Sequence, residues 1–306
     1  MSCLSKKNVV VTDHIHNLRG GSQPILARAS DGMLYVVKFA NNPQGANLLL
    51  NEAVGSELYR QFKLAVPEWQ PVMVTDDFLD RNPQCWMQTV EGPLRPQAGW
   101  CFGSRFLGGK GERLLEILPG SSMCRVVNQS SFWMAWLIDI CAGHVDNRQA
   151  IFRQAPSGAL QAFFVDHGHL LGGPKGELSL PIQASRYLDP RIYPSVSSDY
   201  LENLQRSARC LDANQFWQWT KTLPDSWKTA SALDALEQCM GRLASTAVLQ
   251  GTIDAMAQSL RQGHRFEQSR RQEGRELPLS VLRAGVQTAR LGQGRVVECS
   301  SHLACA

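Results

Sequence analysis

Four sets of residues in this sequence have types that chemistry uses, and they occur in a telling order. Gly20-Gly21-Ser22-Gln23 lies between two short apolar runs, and Lys38 nearly closes the run Tyr35-Val36-Val37-Lys38-Phe39. Glu52 follows in a stretch with helical spacing. Two acidic clusters come later, His144-Val145-Asp146-Asn147-Arg148 and Phe163-Phe164-Val165-Asp166-His167-Gly168, each beside an apolar run. The chemistry this set would serve is phosphoryl transfer, which asks for charge around a polyphosphate and a positioned acceptor rather than for covalent steps by the protein. Adjacent glycines let a backbone approach phosphates closely and present N–H groups to them. A lysine inside an apolar strand must reach solvent or meet a negative partner. Glu52 is the natural partner for Lys38. Asp166 is expected to hold Mg²⁺ against the phosphates, and Asp146 to orient an acceptor hydroxyl and take its proton.

Singly, each group is ordinary. Two glycines between strands usually make a turn, a strand-end lysine usually sits on a solvated edge, and Glu52 alone would read as an exposed glutamate like Glu57. Asp166 before Gly168 suits an Asx-type turn, and Asp146 suits a loop cap. The order and spacing of the set carry the reading. Asp139 and His144 share a five-residue spacing that imitates an acid and metal-ligand pair, but Asp139 stands in an apolar helical run and reads better as a cap or a buried ion pair. His144 and His169 read as hydrogen-bonding fixtures rather than acid–base groups.

The elements that must position these residues follow from period and turn chemistry. Strands are expected over residues 9–11, 24–29 and 33–39, with Ser30-Asp31-Gly32 as a hairpin turn. A helix is expected over 46–62, with Leu50, Val54, Leu58 and Phe62 along one side and Glu52 on another face with Leu48, Gly55 and Tyr59. Strands and loops should fill 71–107, ending in the run 100–107. Helical spacing returns over 131–141, 199–222 and 227–261, with a loop-rich segment and short strands reaching about residue 173 between the first two. A β-rich beginning with one main helix, followed by a mainly helical second half, predicts an α+β fold of two lobes rather than a doubly wound sheet. The expected organisation is one domain over 1–262, divided into lobes near residue 105, and a polar, mobile tail over 263–306.

Composition sets outer bounds. The 306 residues can bury a sizeable core, and 43% hydrophobic with 19% charged residues is an ordinary globular balance. A formal net charge of +4 is too small to argue for nucleic acid or a membrane surface, and neither is expected as a partner. No leader peptide or membrane-spanning run is apparent, so a cytoplasmic location is expected. The nine cysteines are scattered with no C-x-x-C pair, which argues against zinc and disulfides.

The ordered set resembles the HipA-like kinases. Gly20-Gly21-Ser22-Gln23, Tyr35 to Phe39, Asn42-Pro43-Gln44-Gly45 and Asn51-Glu52 resemble the nucleotide-binding half of that family, and Phe102-Gly103-Ser104-Arg105 its inter-lobe strand. Asp146 to Phe152 and Val165-Asp166-His167-Gly168-His169 resemble its catalytic and metal-binding segments. The resemblance implies a protein-kinase-like fold, ATP and Mg²⁺ as cofactors, and transfer to a protein Ser/Thr hydroxyl. It also implies adenine contacts around Gly103, Ser104 and Arg105, with Gly20, Gly21, Ser22 and Gln23 over the phosphates. Three departures stand out. Kinases carry a metal-ligating Asn five residues after the catalytic Asp, where this chain has Ile151; Gln149 or Asn147 would have to supply the oxygen, and Gln149 is preferred because it borders the apolar Ala150-Ile151-Phe152 run. The metal segment reads Asp-His-Gly, and the chain is shorter than the toxin kinases of the family. Two other functions fit the same residues: a catalytically weak pseudokinase acting as a nucleotide-dependent binding module, and a lipid or small-molecule kinase.

Overall fold

The computed structural model describes residues 8–109, 112–176 and 185–272, with side chains to residue 261. It begins with strands β1 (Val11–Asn17), β2 (Ile25–Ala29) and β3 (Leu34–Lys38), then helix α1 (Leu48–Gln61) and β4 (Trp69–Val74). Helix α2 (Asp76–Arg81), the small hairpin β5 (Met87–Thr89) and β6 (Gly92–Leu94), and β7 (Gly99–Arg105) follow. One antiparallel sheet has the order β1-β2-β3-β7-β4, so β7 returns between β3 and β4 and sets Lys38 opposite Phe102.

After β7 the chain becomes mainly helical. Strand β8 (Arg113–Leu115) precedes helix α3 (Ser131–Cys141), and β9 (Gln149–Gln154) and β10 (Leu160–Val165) complete a second sheet of order β10-β9-β8. Helices α4 (Ser198–Ala208), α5 (Ala213–Lys221), α6 (Ala230–Ala244) and α7 (Thr246–Gln272) close the described chain. Residues 263–272 of the expected tail continue helix α7, and 273–306 lie outside the described residues.

Two cores explain the two lobes. One face of the five-stranded sheet buries Val11, Ile25, Val37, Val72 and Val74 against Phe78 and Leu79 of α2 and Met87 of β5. The larger core joins α1 to α3, the second sheet and the later helices, with Trp136, Phe132, Phe152, Phe164 and Trp227 among its fully buried side chains. Helix α1 belongs to this second core although it lies between strands of the first sheet, and this places it at the junction of the lobes.

Several local expectations need correction. Helix α1 is buried all round from Leu48 to Tyr59 rather than along one stripe. Glu57, expected to be exposed, is only 4% accessible, and its carboxylate accepts from Arg60 Nε at 2.8 Å and Gln61 Nε2 at 2.6 Å. Strand β1 runs beyond the β-branched residues through Asp13, His14 and His16, because pairing with β2 imposes extended backbone that propensity alone would not choose. Helix α2 went unforeseen although Thr75 caps it, accepting from Phe78 N at 3.1 Å, with Asp76 and Asp77 in its first turn. The helical stretch 199–222 is two helices, the second capped by Asp212, and 227–261 is split by the extended backbone at Ser245.

Candidate active site

Three elements bring their charges together at the lobe junction. Lys38 ends β3, is only 7% exposed, and its Nζ donates to Glu52 of α1 and to Asp166 Oδ1 at 2.7 Å. The expected Lys38–Glu52 ion pair is therefore present, and Asp166 from the far half of the chain completes it. Burial by itself would lower the Lys38 pKa, but Asp166 and then Glu52 outweigh it and raise that pKa above its ordinary value. Burial also opposes ionisation of Asp166, yet Lys38 overcomes this, with smaller help from His169 and Arg148, and holds the carboxyl below the ordinary range. Glu52 lies deeper; burial pushes its pKa up, and Lys38 only partly offsets this.

The face of α1 that carries Glu52 meets the Asp166-His167-Gly168 turn along its length. Glu52 Oε1 accepts from Gly168 N at 2.8 Å, and its Oε2 accepts from His167 N at 3.2 Å. Asn51 Nδ2 donates to the carbonyls of Gly168 at 2.9 Å and Leu170 at 2.7 Å. A Cβ on Gly55 would stand 2.3 Å from His167 Cβ, and one on Gly168 would stand 2.3 Å from Leu48 Cδ1, so glycine at both positions is what permits this approach. Asp166 itself has φ +60°, a left-handed conformation that costs a non-glycine residue about 1–3 kcal/mol unless its surroundings enforce it.

A buried polar cluster beneath the turn supplies that enforcement. Arg148 binds Asp139 through two bonds of 2.8 and 2.9 Å and donates to the Val165 carbonyl at 2.8 Å, one residue before Asp166. Tyr59 of α1 donates to Asp139 Oδ1 at 2.8 Å. Asp139 is thus one half of a buried ion pair, as its apolar helix led one to expect. Burial opposes the charge on Arg148, but Asp139 outweighs this and raises its pKa. His144 is buried, its Nδ1 lies 2.6 Å from the Asp146 carbonyl, and burial with Arg148 pushes its pKa down to about 4. A neutral, hydrogen-bonded fixture is the outcome.

The remaining sequence candidates divide by place. Asp146 is half-buried in the loop before β9, and its Oδ1 accepts from Asn147 N at 2.7 Å. Gln149 is exposed at the start of β9, paired with Val165, the neighbour of Asp166. Ile151 lies within β9 opposite Phe163. Gly20, Gly21, Ser22 and Gln23 form the β1–β2 turn; Gly20 has φ +135° and Gln23 φ +45°. Asn42 Nδ2 holds the Ser22 carbonyl at 2.7 Å, and Gln23 exchanges bonds with the main chain of Gln88 at 2.8 and 2.7 Å. Gly103, Ser104 and Arg105 lie in β7 with partners on both sides. The amides of Arg105 and Phe106 donate to Glu68 O and Leu34 O, so these two main-chain donors are already engaged within the lobe.

The donor set suits a hard divalent cation bound together with phosphates. Asp166 uses Oδ1 for Lys38, its Oδ2 has no hydrogen bond among the described residues, and its side chain is 26% exposed. No group of three His, Cys, Asp or Glu side chains among the described residues could hold a metal alone. One or two protein oxygens completed by phosphate and water are the usual coordination of Mg²⁺. The described cysteines are free thiols, and burial pushes Cys101, Cys141 and Cys239 up to about 12.

Comparison with known proteins accords with this layout. A family model described as HipA-like kinase matches residues 11–112. The crystal structure of a Helicobacter pylori proinflammatory kinase, CtkA, aligns with a TM-score of 0.53 at 12% identity, covering 82% of this chain and 99% of that one. The fold is the bilobal, protein-kinase-like α+β fold. A Golgi casein kinase structure aligns more loosely, with a TM-score of 0.43 at 11% identity over 80% of this chain and 72% of the other. No curated protein matches the sequence. No described helix is long and apolar enough to cross a membrane.

Asn51, Arg148 and Tyr59 are site residues that sequence reasoning left without a role. Arg148 had a visible signal, since a buried Asp139 needs a cation and an arginine stands nine residues away. Asn51 stood only within the Asn51-Glu52 resemblance, and its three carbonyl partners had no local signal, because they lie more than a hundred residues along the chain.

Proposed function

We propose that this protein is an ATP- and Mg²⁺-dependent kinase of the cytoplasm that transfers the γ-phosphate to a Ser or Thr hydroxyl of a protein. The observation that carries the reading is the sharing of Lys38 between Glu52 and Asp166, one residue from each of three elements at the lobe junction. That arrangement makes Lys38 a fixed cation for nucleotide phosphates and leaves Asp166 one free oxygen for Mg²⁺. Asp166 would hold the metal, whose charge would offset that of the phosphates. Asp146, on the loop tied to His144, would hold the acceptor hydroxyl and take its proton. Gly20 to Gln23 would cover the phosphates, Gly103 to Arg105 would border the adenine, and Gln149 would add a metal oxygen. The kinase unit is taken to end near residue 262, with 263–306 as a tail.

A second reading, a weakly catalytic module that binds nucleotide to engage a partner, is favoured by Ile151 standing where kinases carry a metal-ligating Asn. Incubation with labelled ATP and Mg²⁺, alone and with cell lysate, tests both. Label transferred to protein and lost in Asp146→Asn supports the kinase. Nucleotide binding with no transfer to any protein would favour the second reading, and label appearing only in lipid or small molecules would move the acceptor class.

A further inference from the structure

A second polar pair faces the junction from the side of the glycine turn. The Gln44 side chain lies under that turn, with its Nε2 2.5 Å from where a Cβ on Gly21 would stand. The same Nε2 lies 3.5 Å from His169 Nε2. The Gln44 main-chain N–H donates to Asn42 Oδ1 at 3.1 Å, Asn42 binds the Ser22 carbonyl, and the same loop meets the other lobe where Asn47 N donates to Pro174 O at 3.0 Å. His169 stands three residues after Asp166, and its carbonyl accepts from Val145 N at 3.0 Å, next to Asp146. Its backbone is thus tied both to the turn of the candidate metal ligand and to the loop of the candidate acceptor acid, the two groups between which a phosphoryl group would transfer. His169 is half-buried, so its ring remains within reach of a ligand.

We propose that Gln44 and His169 are a clasp for the terminal phosphate of the bound nucleoside triphosphate. This rests on the kinase reading and adds two recognition residues to it. Without nucleotide the two side chains hold each other across the mouth of the cleft. With a triphosphate bound they part, His169 shifts its proton from Nδ1 to Nε2 through solvent, and each donates to a terminal phosphate oxygen, Gln44 through its amide N–H and His169 through Nε2–H. Because Gln44 packs on Gly21, its turn toward the phosphate carries the glycine turn with it. A diphosphate lacks the group they grasp, so the clasp discriminates ATP from ADP.

The test is calorimetric titration of the full chain with MgADP and with the magnesium complex of a β,γ-imido ATP analogue. In Gln44→Ala and in His169→Ala, affinity for the triphosphate analogue should fall about 10-fold or more, the usual effect of losing a hydrogen bond to a charged group. MgADP affinity should change far less. His169→Gln keeps a donor and should retain most of the discrimination. Gln44→Glu keeps the shape but offers a negative charge, and should lose the triphosphate selectively. Thermal melting checks that each variant is folded. Equal losses for both nucleotides, or no loss for either, would overturn the clasp while leaving the kinase reading in place. A wild-type protein that bound neither nucleotide would bring down both.

Discussion

Replacing Lys38 by alanine should do more than weaken nucleotide binding. It strips away the cation to which both Glu52 and Asp166 are hydrogen-bonded. Removing one partner of a buried ion pair typically costs about 3–5 kcal/mol, because the charge left behind is uncompensated. Two features reduce the cost here: Glu52 keeps the amides of His167 and Gly168, and Asp166 is 26% exposed and can recruit water. A loss near the lower end, about 3 kcal/mol at pH 7, is expected. The pH dependence follows from the signs. Asp166 is held below its ordinary range by Lys38, so in the wild type it contributes stability above the unfolded carboxylate pKa and loses it as pH falls through the folded value. Lys38 is raised, so its contribution is full below the unfolded lysine pKa and is lost only at more alkaline pH. In the variant both carboxyls are pushed upward by burial and can protonate as pH drops, which relieves their repulsion. The gap between wild type and Lys38→Ala should therefore shrink between pH 7 and about pH 4, near the ordinary carboxylate range. Urea unfolding of both proteins across that range measures it. A variant as stable as wild type at pH 7, or a deficit unchanged at pH 4, would refute the shared-cation account.

Other outcomes follow from the same geometry. Asp146→Asn should still bind MgATP but transfer phosphate about 10²–10⁴-fold more slowly, whereas Asp166→Asn should lose the Mg²⁺ dependence of binding; nucleotide titration with and without metal, paired with a transfer assay, separates them. Gly55→Ala places a methyl 2.3 Å from His167 Cβ, so it should cost about 1–3 kcal/mol in urea unfolding and lower nucleotide affinity by shifting the Asp166 turn. Arg148→Met leaves Asp139 buried without its cation and should cost about 3–5 kcal/mol, while the double change with Asp139→Leu should recover a large part, as read by a double-mutant cycle.

Much of the site was legible because its members cannot be neutral choices where they stand. Lys38 ends an apolar strand and Glu52 shares a helical face with Leu48, Gly55 and Tyr59, so each needed a partner and the other was near in sequence. That same face proved to be the one laid against the Asp166 turn, with Gly55 as the gap that admits it. Helix α3 could be bounded from its apolar run alone, since Ser131 and the Gly143 region delimit it. The two-lobed α+β order was likewise carried by period and turn residues, which are local properties of the chain.

Tertiary structure decided the rest. The union of Lys38 with Asp166 spans 128 residues, and no local pattern fixes which of several aspartates will meet that lysine. Burial of Glu57 and of every side of α1 arises because the helix is enclosed between the sheet and α3, so its exposure was set by neighbours rather than by its own periodicity. The role of Asn51 exists only once the Asp166 turn is folded against α1, because its partners are main-chain carbonyls that carry no signature in sequence, and Arg148 gains its bond to the Val165 carbonyl in the same way. Side-chain type and spacing therefore determined which groups could do chemistry, and the packing of α1 between the lobes determined which of them meet.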